Sequence, residues 1–510
     1  MARPDLLSRR RFLAAGAALA STPLWAAGTP SPAHGAWQSA APFGDHPALA
    51  PLRGLQGQDL ACDTLAVEGR WPRGLRGTLY RNGPGLMERA GQRYHHWFDG
   101  DGLVQAWRVD GEGGASHRAR FVQTAKFRAE QAAGEFLVPA FGTAVAAKRP
   151  LRGPDDMNVA NTSVLPLPGR LLALWEGGSA YALDPDTLAT QGPVAWTPEL
   201  TGMPFSAHPK VEPDGTVWNF GTAHDKLVLY QLDATGQLRR HAVTPMPPCA
   251  MVHDFVVTAR FLVFLLAPLT LDMAAVRGGA AFTEAMRWQP AGGPQATRVV
   301  VVDKADFQRQ RVLEIPACMV FHFANGWDDG DLITLDLVRA ADYPRLDERL
   351  QDVARGEFHG SEPSRPALLQ LDLRRGSHRW TLGEASVEFP VVDRRVVARR
   401  HRHAWCPAAL SAGHARRFGF DSLLALDRER GTQQAFTFGP QAVVEEHVFV
   451  PRPGSTVEGD GWLLGTGYDI TRRRSFASVF EARALADGPV AVAWLPYAVP
   501  YGFHGQFVAA

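Results

Sequence analysis

Cysteine is scarce in this chain. Its four residues, at positions 62, 249, 318 and 406 of 510, contain no C-x-x-C and no zinc-like spacing. Neither a thiolate metal cluster nor a disulfide scaffold is implied. A surplus of charge is missing too: 53 basic side chains stand against 52 acidic ones, a formal net charge of +1. That gives no electrostatic case for a nucleic-acid partner. No apolar run reaches the roughly eighteen residues that a bilayer-spanning helix needs. Neither G-x-S-x-G nor H-E-x-x-H occurs, which leaves a serine or zinc hydrolase without its motif. What is plentiful is apolar material, 45% of the residues, together with 50 Gly and 38 Pro. The chain therefore reads as a globular protein with a large core and many turns between short strands.

The first thirty residues have the look of an address. Ser8-Arg9-Arg10-Arg11-Phe12-Leu13 leads into an apolar stretch to Ala20 and then into small residues at Ala26, Ala27 and Gly28. Residues 1–30 read as a twin-arginine signal peptide, which implies export to the periplasm. That route carries folded proteins and suits a chain that loads a cofactor first. A Pro/Ala/Gly-rich linker is expected over 31–50 and a single domain over 51–510.

Within that domain one pattern recurs, a strand ending in an acid followed by a turn and a strand that pairs back. The copies are QAWRVD to Asp110, AYALD to Asp184, LYQLD to Asp233, RVVVVD to Asp303, LLQLD to Asp372, LLALD to Asp427 and ASVFE to Glu481. Seven units at irregular spacing suit four-stranded blades carrying insertions. The expectation is an all-β fold, a seven-bladed β-propeller in which each blade buries its faces against its neighbours. A string of separate β-domains is the alternative.

Most of the 17 His have bland surroundings. His46, His117, His224, His241, His401 and His403 sit in polar, turn-like or arginine-rich stretches and read as solvated. Four others have apolar or turn neighbours at strand starts: His208 in Phe205-Ser206-Ala207-His208-Pro209-Lys210, His253 before Asp254-Phe255, His322 in Val320-Phe321-His322-Phe323, and His504 in Tyr501-Gly502-Phe503-His504-Gly505. Singly, each reads as a core histidine. They fall in four different repeats, so only a propeller axis could gather them, and together they would suit Fe, Zn, Cu or Ni. A ligating imidazole gives its other N–H to an acceptor. Glu176, Glu388 and Glu446 lie in apolar strand contexts that would suit that role, or else face outward; Glu445 is the neighbour a register error would confuse with Glu446.

At these residues the chain resembles the carotenoid cleavage oxygenase family across nearly all of its mature length. The resemblance is carried by Tyr80-Arg81-Asn82-Gly83-Pro84-Gly85, His96-Trp97-Phe98-Asp99-Gly100-Asp101-Gly102, Ala207-His208-Pro209-Lys210, His253-Asp254-Phe255, Glu446-His447-Val448-Phe449-Val450-Pro451-Arg452 and Phe503-His504-Gly505. It implies a seven-bladed propeller with non-haem Fe(2+) on the central axis and loops and short helices over the top face. By resemblance His208, His253, His322 and His504 are the iron ligands and catalytic centre, and Glu176, Glu388 and Glu446 accept from three of them. His447 departs from the family, which often has Pro there, and Phe323 stands where variation is common.

The implied reaction is O2-dependent cleavage of a conjugated C=C bond to two carbonyl products. The stretch from Asn158 to Gly178 is similar to the bacterial apocarotenoid 15,15'-oxygenases within the family, which favours an apocarotenoid. Stilbene-cleaving members hold a substrate phenol with a Lys and a Tyr, and Lys126 and Tyr94 fall at a similar spacing, so a lignostilbene-type dioxygenase yielding hydroxybenzaldehydes is the alternative. A non-enzymatic exported propeller that binds a ligand is the other. A membrane-borne polyene would favour peripheral membrane contact, for which Phe136 to Phe141, Ala144 to Ala147 with Lys148, Arg149 and Arg152, and Phe264 to Leu271 are candidates.

Overall fold

In the computed structural model, which describes residues 47–510 apart from 224, 356–362 and 414–417, the seven acid-ended segments fall on seven separate sheets. In each sheet the segment is the third strand from the centre: Asp101–Val109, Tyr181–Leu183, Lys226–Leu232, Thr297–Asp303, Arg365–Asp372, Ser422–Asp427 and Arg474–Glu481. The fold is a seven-bladed β-propeller. The acid recurs because a short carboxylate can accept from the amides of the turn after it. Oδ1 of Asp110 accepts from Glu112, Gly113 and Gly114, that of Asp233 from Thr235 and Gln237, and that of Asp427 from Glu429 and Arg430. Glu481 is one methylene longer and instead accepts from Arg452 and the Trp462 indole.

These turns carry a pH signature. The Thr235 hydroxyl and the Gln237 amide hold the Asp233 carboxyl down at about 2. A depressed carboxyl contributes stability that is present above its unfolded value, about 3.9, and lost as the pH falls through the folded one. The melting-temperature gap between the wild type and Asp233→Ala should therefore narrow as the pH is lowered from 5 to 2. A gap that stays constant would contradict the assignment.

The ring closes at both chain ends. The C-terminal strand His504–Ala509 becomes the innermost strand of the first blade, pairing with Gly77–Leu86, while Ala66–Gly69 adds to the outside of the last blade beside Ala491–Trp494. Apolar clusters fill every seam between blades. The closing seam packs Trp71, Trp107 and Trp462 with Leu79, Val479 and Phe507, and the others follow round the ring from Val104 against Leu171 to Trp405 against Phe480. A blade is apolar on both faces and is covered only by its neighbours, which is why the units do not stand as separate domains.

The structure corrects several readings. The body begins before residue 51: Ala48 and Leu49 are buried, and the Tyr501 hydroxyl donates to the Ala48 carbonyl. The leader, the linker up to 46, His46 and His224 lie outside the described residues. His117 and His401 are buried, not solvated. His401 Nε2 donates to Asp336, itself held by Arg428, because a polar ring inside a seam needs a partner. In the two segments read as membrane-dipping the large apolar residues Phe136, Val138, Phe264, Leu266 and Leu269 are buried, packing under the top face or between blades, while Ala144, Ala146, Ala147, Lys148 and Arg152 are exposed. An apolar run shows that a segment is covered, but not by what. Among the described residues no helix is long and apolar enough to cross a membrane.

Candidate metal centre

The innermost strands, or the turns just before them, deliver the four singled-out histidines from four blades. His208 precedes Lys210–Val211, His253 precedes Val256–Val257, His322 lies on Met319–Asp329, and His504 opens His504–Ala509. Their ligand nitrogens all lie within 4.8 Å of one another. The Nε2 atoms of His208 and His253 are 2.9 Å apart, those of His253 and His322 3.3 Å, and those of His322 and His504 3.1 Å.

The three glutamates come from the other three blades. His253 Nδ1 donates to Glu176 Oε2 at 2.6 Å, His504 Nδ1 to Glu446 Oε1 at 2.9 Å, and His322 Nδ1 to Glu388 Oε2. Every blade thus supplies one polar group to the axis. Among the described residues no carboxylate is bonded to His208. A β-bulge between Val444 and His447 resolves the Glu445/Glu446 choice. It turns Glu446 to His504 and the Gly505 amide, and Glu445 to Arg81, Thr466 and the Gly502 amide.

These partners decide what the cluster can hold. A ring whose Nδ1–H is given to a carboxylate presents a bare lone pair at Nε2. Three such lone pairs meet here, and burial together with the neighbouring imidazoles keeps His208 uncharged far below the usual histidine range. Four acceptors facing one another repel unless a cation stands between them. Imidazole nitrogens about 2.0–2.1 Å from one ion and at right angles are about 3 Å apart, as these are. The three carboxylates complement a dication. The residues fit a divalent transition metal with an all-nitrogen donor set. The thiols are not part of it: the ligand atoms gathered here are the nitrogens of His208, His253, His322 and His504.

Motif residues around the ligands hold them in place. Asp254 accepts from the amides of Phe255 and Phe323 and from Lys210 Nζ at 2.7 Å, so one buried carboxylate ties the chain beside three of the histidines. Gly505 must be glycine because a Cβ there would stand 2.6 Å from the Tyr80 carbonyl. Arg81, wholly buried, donates to the carbonyls of Glu446 and Phe503 and to Glu445. Phe389 takes a left-handed backbone, φ 52°, which is unusual for a residue with a side chain. That turn points its amide at Glu388 and lays its ring 5.1 Å from those of His322 and His504. Sequence reading gave Arg81, Asp254 and Phe389 no role; the first two stand in the family motifs, and Phe389 carries no signal.

The cluster separates two cavities. The larger, about 390 Å3, reaches His253, His322 and His504 and is walled by Phe98, Phe141, Phe321, Phe418, Phe503 and the helix Tyr343–Arg355. The smaller, about 190 Å3, lies along the axis beside His208, with Lys210, Asp254, Arg394 and Gln506 in its wall. His447 stays out of the cluster, bonded to the Ser478 hydroxyl, and burial holds it at about 4.

Lys126 and Tyr94 are brought together, but not as free substrate anchors. Both are fully buried, and Lys126 Nζ donates to Tyr94 Oη at 2.9 Å, Asp101 at 2.9 Å and Glu130 at 2.8 Å. An ammonium has three hydrogens, and here each has a partner. Lys126 touches the larger cavity with its side chain, whereas Tyr94 packs behind it on Phe136.

Residues 56–509 match the family model described as retinal pigment epithelial membrane protein. The apocarotenoid-15,15'-oxygenase of Synechocystis sp. is 32% identical, the match covering 89% of this chain and 95% of that protein. Isoeugenol monooxygenase of Pseudomonas putida is 30% identical over 86% and 93%. The crystal structure of cobalt-substituted Synechocystis apocarotenoid oxygenase superposes with a TM-score of 0.81 at 30% identity, covering 91% of this chain and 98% of that one.

Proposed function

Since the chain belongs to the retinal pigment epithelial membrane protein family, that of the carotenoid cleavage oxygenases, and is an oxygenase that cleaves carbon–carbon double bonds, we propose that its substrate is an apocarotenoid and its metal ferrous iron. The observation that carries this reading is the larger cavity, an aromatic-walled space ending on three imidazoles of the four-histidine cluster. Its volume, about 390 Å3, lies in the range of small-molecule sites.

The chain's own residues bind, orient and exclude water. Phe98 packs edge-on against Phe503 at 5.2 Å and Phe321 at 6.3 Å, making rigid walls that fix a flat conjugated chain against the imidazoles. Glu176, Glu388 and Glu446 each keep a proton on an Nδ1 atom, which fixes the tautomer and aims Nε2 at the centre. Iron held there supplies the electron chemistry that lets dioxygen react with an alkene. One oxygen atom goes to each carbon of the broken double bond, and both leave as carbonyls. We further propose that residues 1–30 act as a twin-arginine leader and that the protein works in the periplasm, with metal loaded before export.

The test gives anaerobically purified, iron-loaded protein an apocarotenal and a hydroxystilbene in separate aerated tubes and identifies products by mass. Retinal from the first and no product from the second is the expected result. Hydroxybenzaldehydes from the second alone would overturn the substrate assignment and make Lys126 and Tyr94 phenol anchors.

A further inference from the structure

The helix Tyr343–Arg355 lines the larger cavity with Leu346, Arg349, Leu350 and Val353, and with Asp352 beside them. The spacing of the first four, i, i+3, i+4 and i+7, is that of an apolar stripe, and three of those four are apolar. Arg349 interrupts the stripe in its middle. The helix has solvent-exposed positions for charge at Arg345 and Glu348, so a cation in the stripe is not forced by any shortage of surface.

Among the described residues Arg349 makes no hydrogen bond and no ion pair. The acid that acts on it through space is Glu388, already bound to His322 and to the Phe389 amide. Lys126, the other cation on this cavity, has all three hydrogens engaged, and Asp352 is engaged elsewhere. The Arg349 side chain is half-buried, and burial pulls its pKa down against the pull of Glu388. The carboxylates that share this wall, Asp99, Glu176, Asp352 and Glu388, make no hydrogen bond or ion pair with it, so its five N–H donors are left for an acceptor that a ligand brings.

We propose that Arg349 is a specificity-determining residue that receives an acceptor oxygen on the substrate, so that the polyene this cavity takes is an oxygenated one, with a carboxylate end bound best. A guanidinium matches a carboxylate with two parallel hydrogen bonds and a carbonyl with one. The inference rests on the polyene reading above and adds the end group to it.

The test uses two polyenes of equal conjugated length, one ending in a carboxylate and one a hydrocarbon throughout. They are titrated into metal-loaded full-length protein under argon, with binding read from quenching of tryptophan fluorescence; Trp97 and Trp175 line the cavity. The wild type should bind the acid at least tenfold more tightly than the hydrocarbon. Arg349→Met should reduce that ratio at least tenfold, and Arg349→Lys should fall between, keeping the charge without the fork. A ratio in Arg349→Met within twofold of the wild type overturns the inference, as does a wild-type ratio near one; both leave the polyene reading standing. A wild type that binds neither compound overturns the polyene reading and this inference with it.

Discussion

His504→Ala should strip the protein of its metal and of all measurable double-bond cleavage. The imidazole supplies one of four nitrogens within 4.8 Å of one another, and its Nε2 stands 3.1 Å from that of His322. Removing it takes away a donor, and it also leaves Glu446 as a buried carboxylate without the ring that is foremost among the groups that hold its pKa down against burial. Loss of a carboxylate that merely orients a ligand costs about 10–100-fold in metal affinity or activity. Loss of the ligand itself should exceed that, so the variant is expected to purify with well under a tenth of the wild-type metal. Glu446→Gln should fall between, because an amide oxygen still accepts from Nδ1 but without charge. Metal content by elemental analysis and product formation from an apocarotenal check both. Unchanged metal in His504→Ala would remove His504 from the ligand set.

The propeller was legible in the sequence because its repeat has a local chemical cause. Six aspartates recur at strand ends since each caps its own turn, and that pattern survives blades of unequal length. The four histidines stood out by their apolar or turn neighbours in four different repeats, but their role as ligands came only with the family resemblance, since nothing in the residues around His208 or His322 distinguishes a ligand from a core histidine. Their acid partners show why. Glu176 reaches His253 from two blades away in sequence order, and Glu446 reaches His504 across the closing seam. Such pairings depend on how the ring closes, which no local pattern encodes. Lys126 and His401 show the same limit in reverse, as polar residues in unremarkable stretches that prove to be buried within networks. Apolar character told that Phe136 and Phe264 are covered; only the packing tells that protein rather than lipid covers them.

Arg81→Met should be among the most destabilising single changes outside the metal ligands. The side chain is wholly buried and sits where the last blade meets the first. Its Nη1 donates to the Glu446 carbonyl at 2.9 Å, and its Nη2 to Glu445 and to the Phe503 carbonyl. Both carboxylates on the bulge lie within ion-pair reach, at 3.4 and 3.8 Å. Breaking a buried charge cluster by removing one partner costs about 3–5 kcal/mol, because the remaining charge is left uncompensated. Here two carboxylates are left, one of them the acceptor that orients His504, so metal retention should fall together with the denaturation midpoint. Adding Glu445→Gln to Arg81→Met removes one stranded charge and should restore part of the stability, a double-mutant coupling that simple loss of packing would not produce. An Arg81→Met protein within about 1 kcal/mol of the wild type would instead mean that the bulge holds its two glutamates without help.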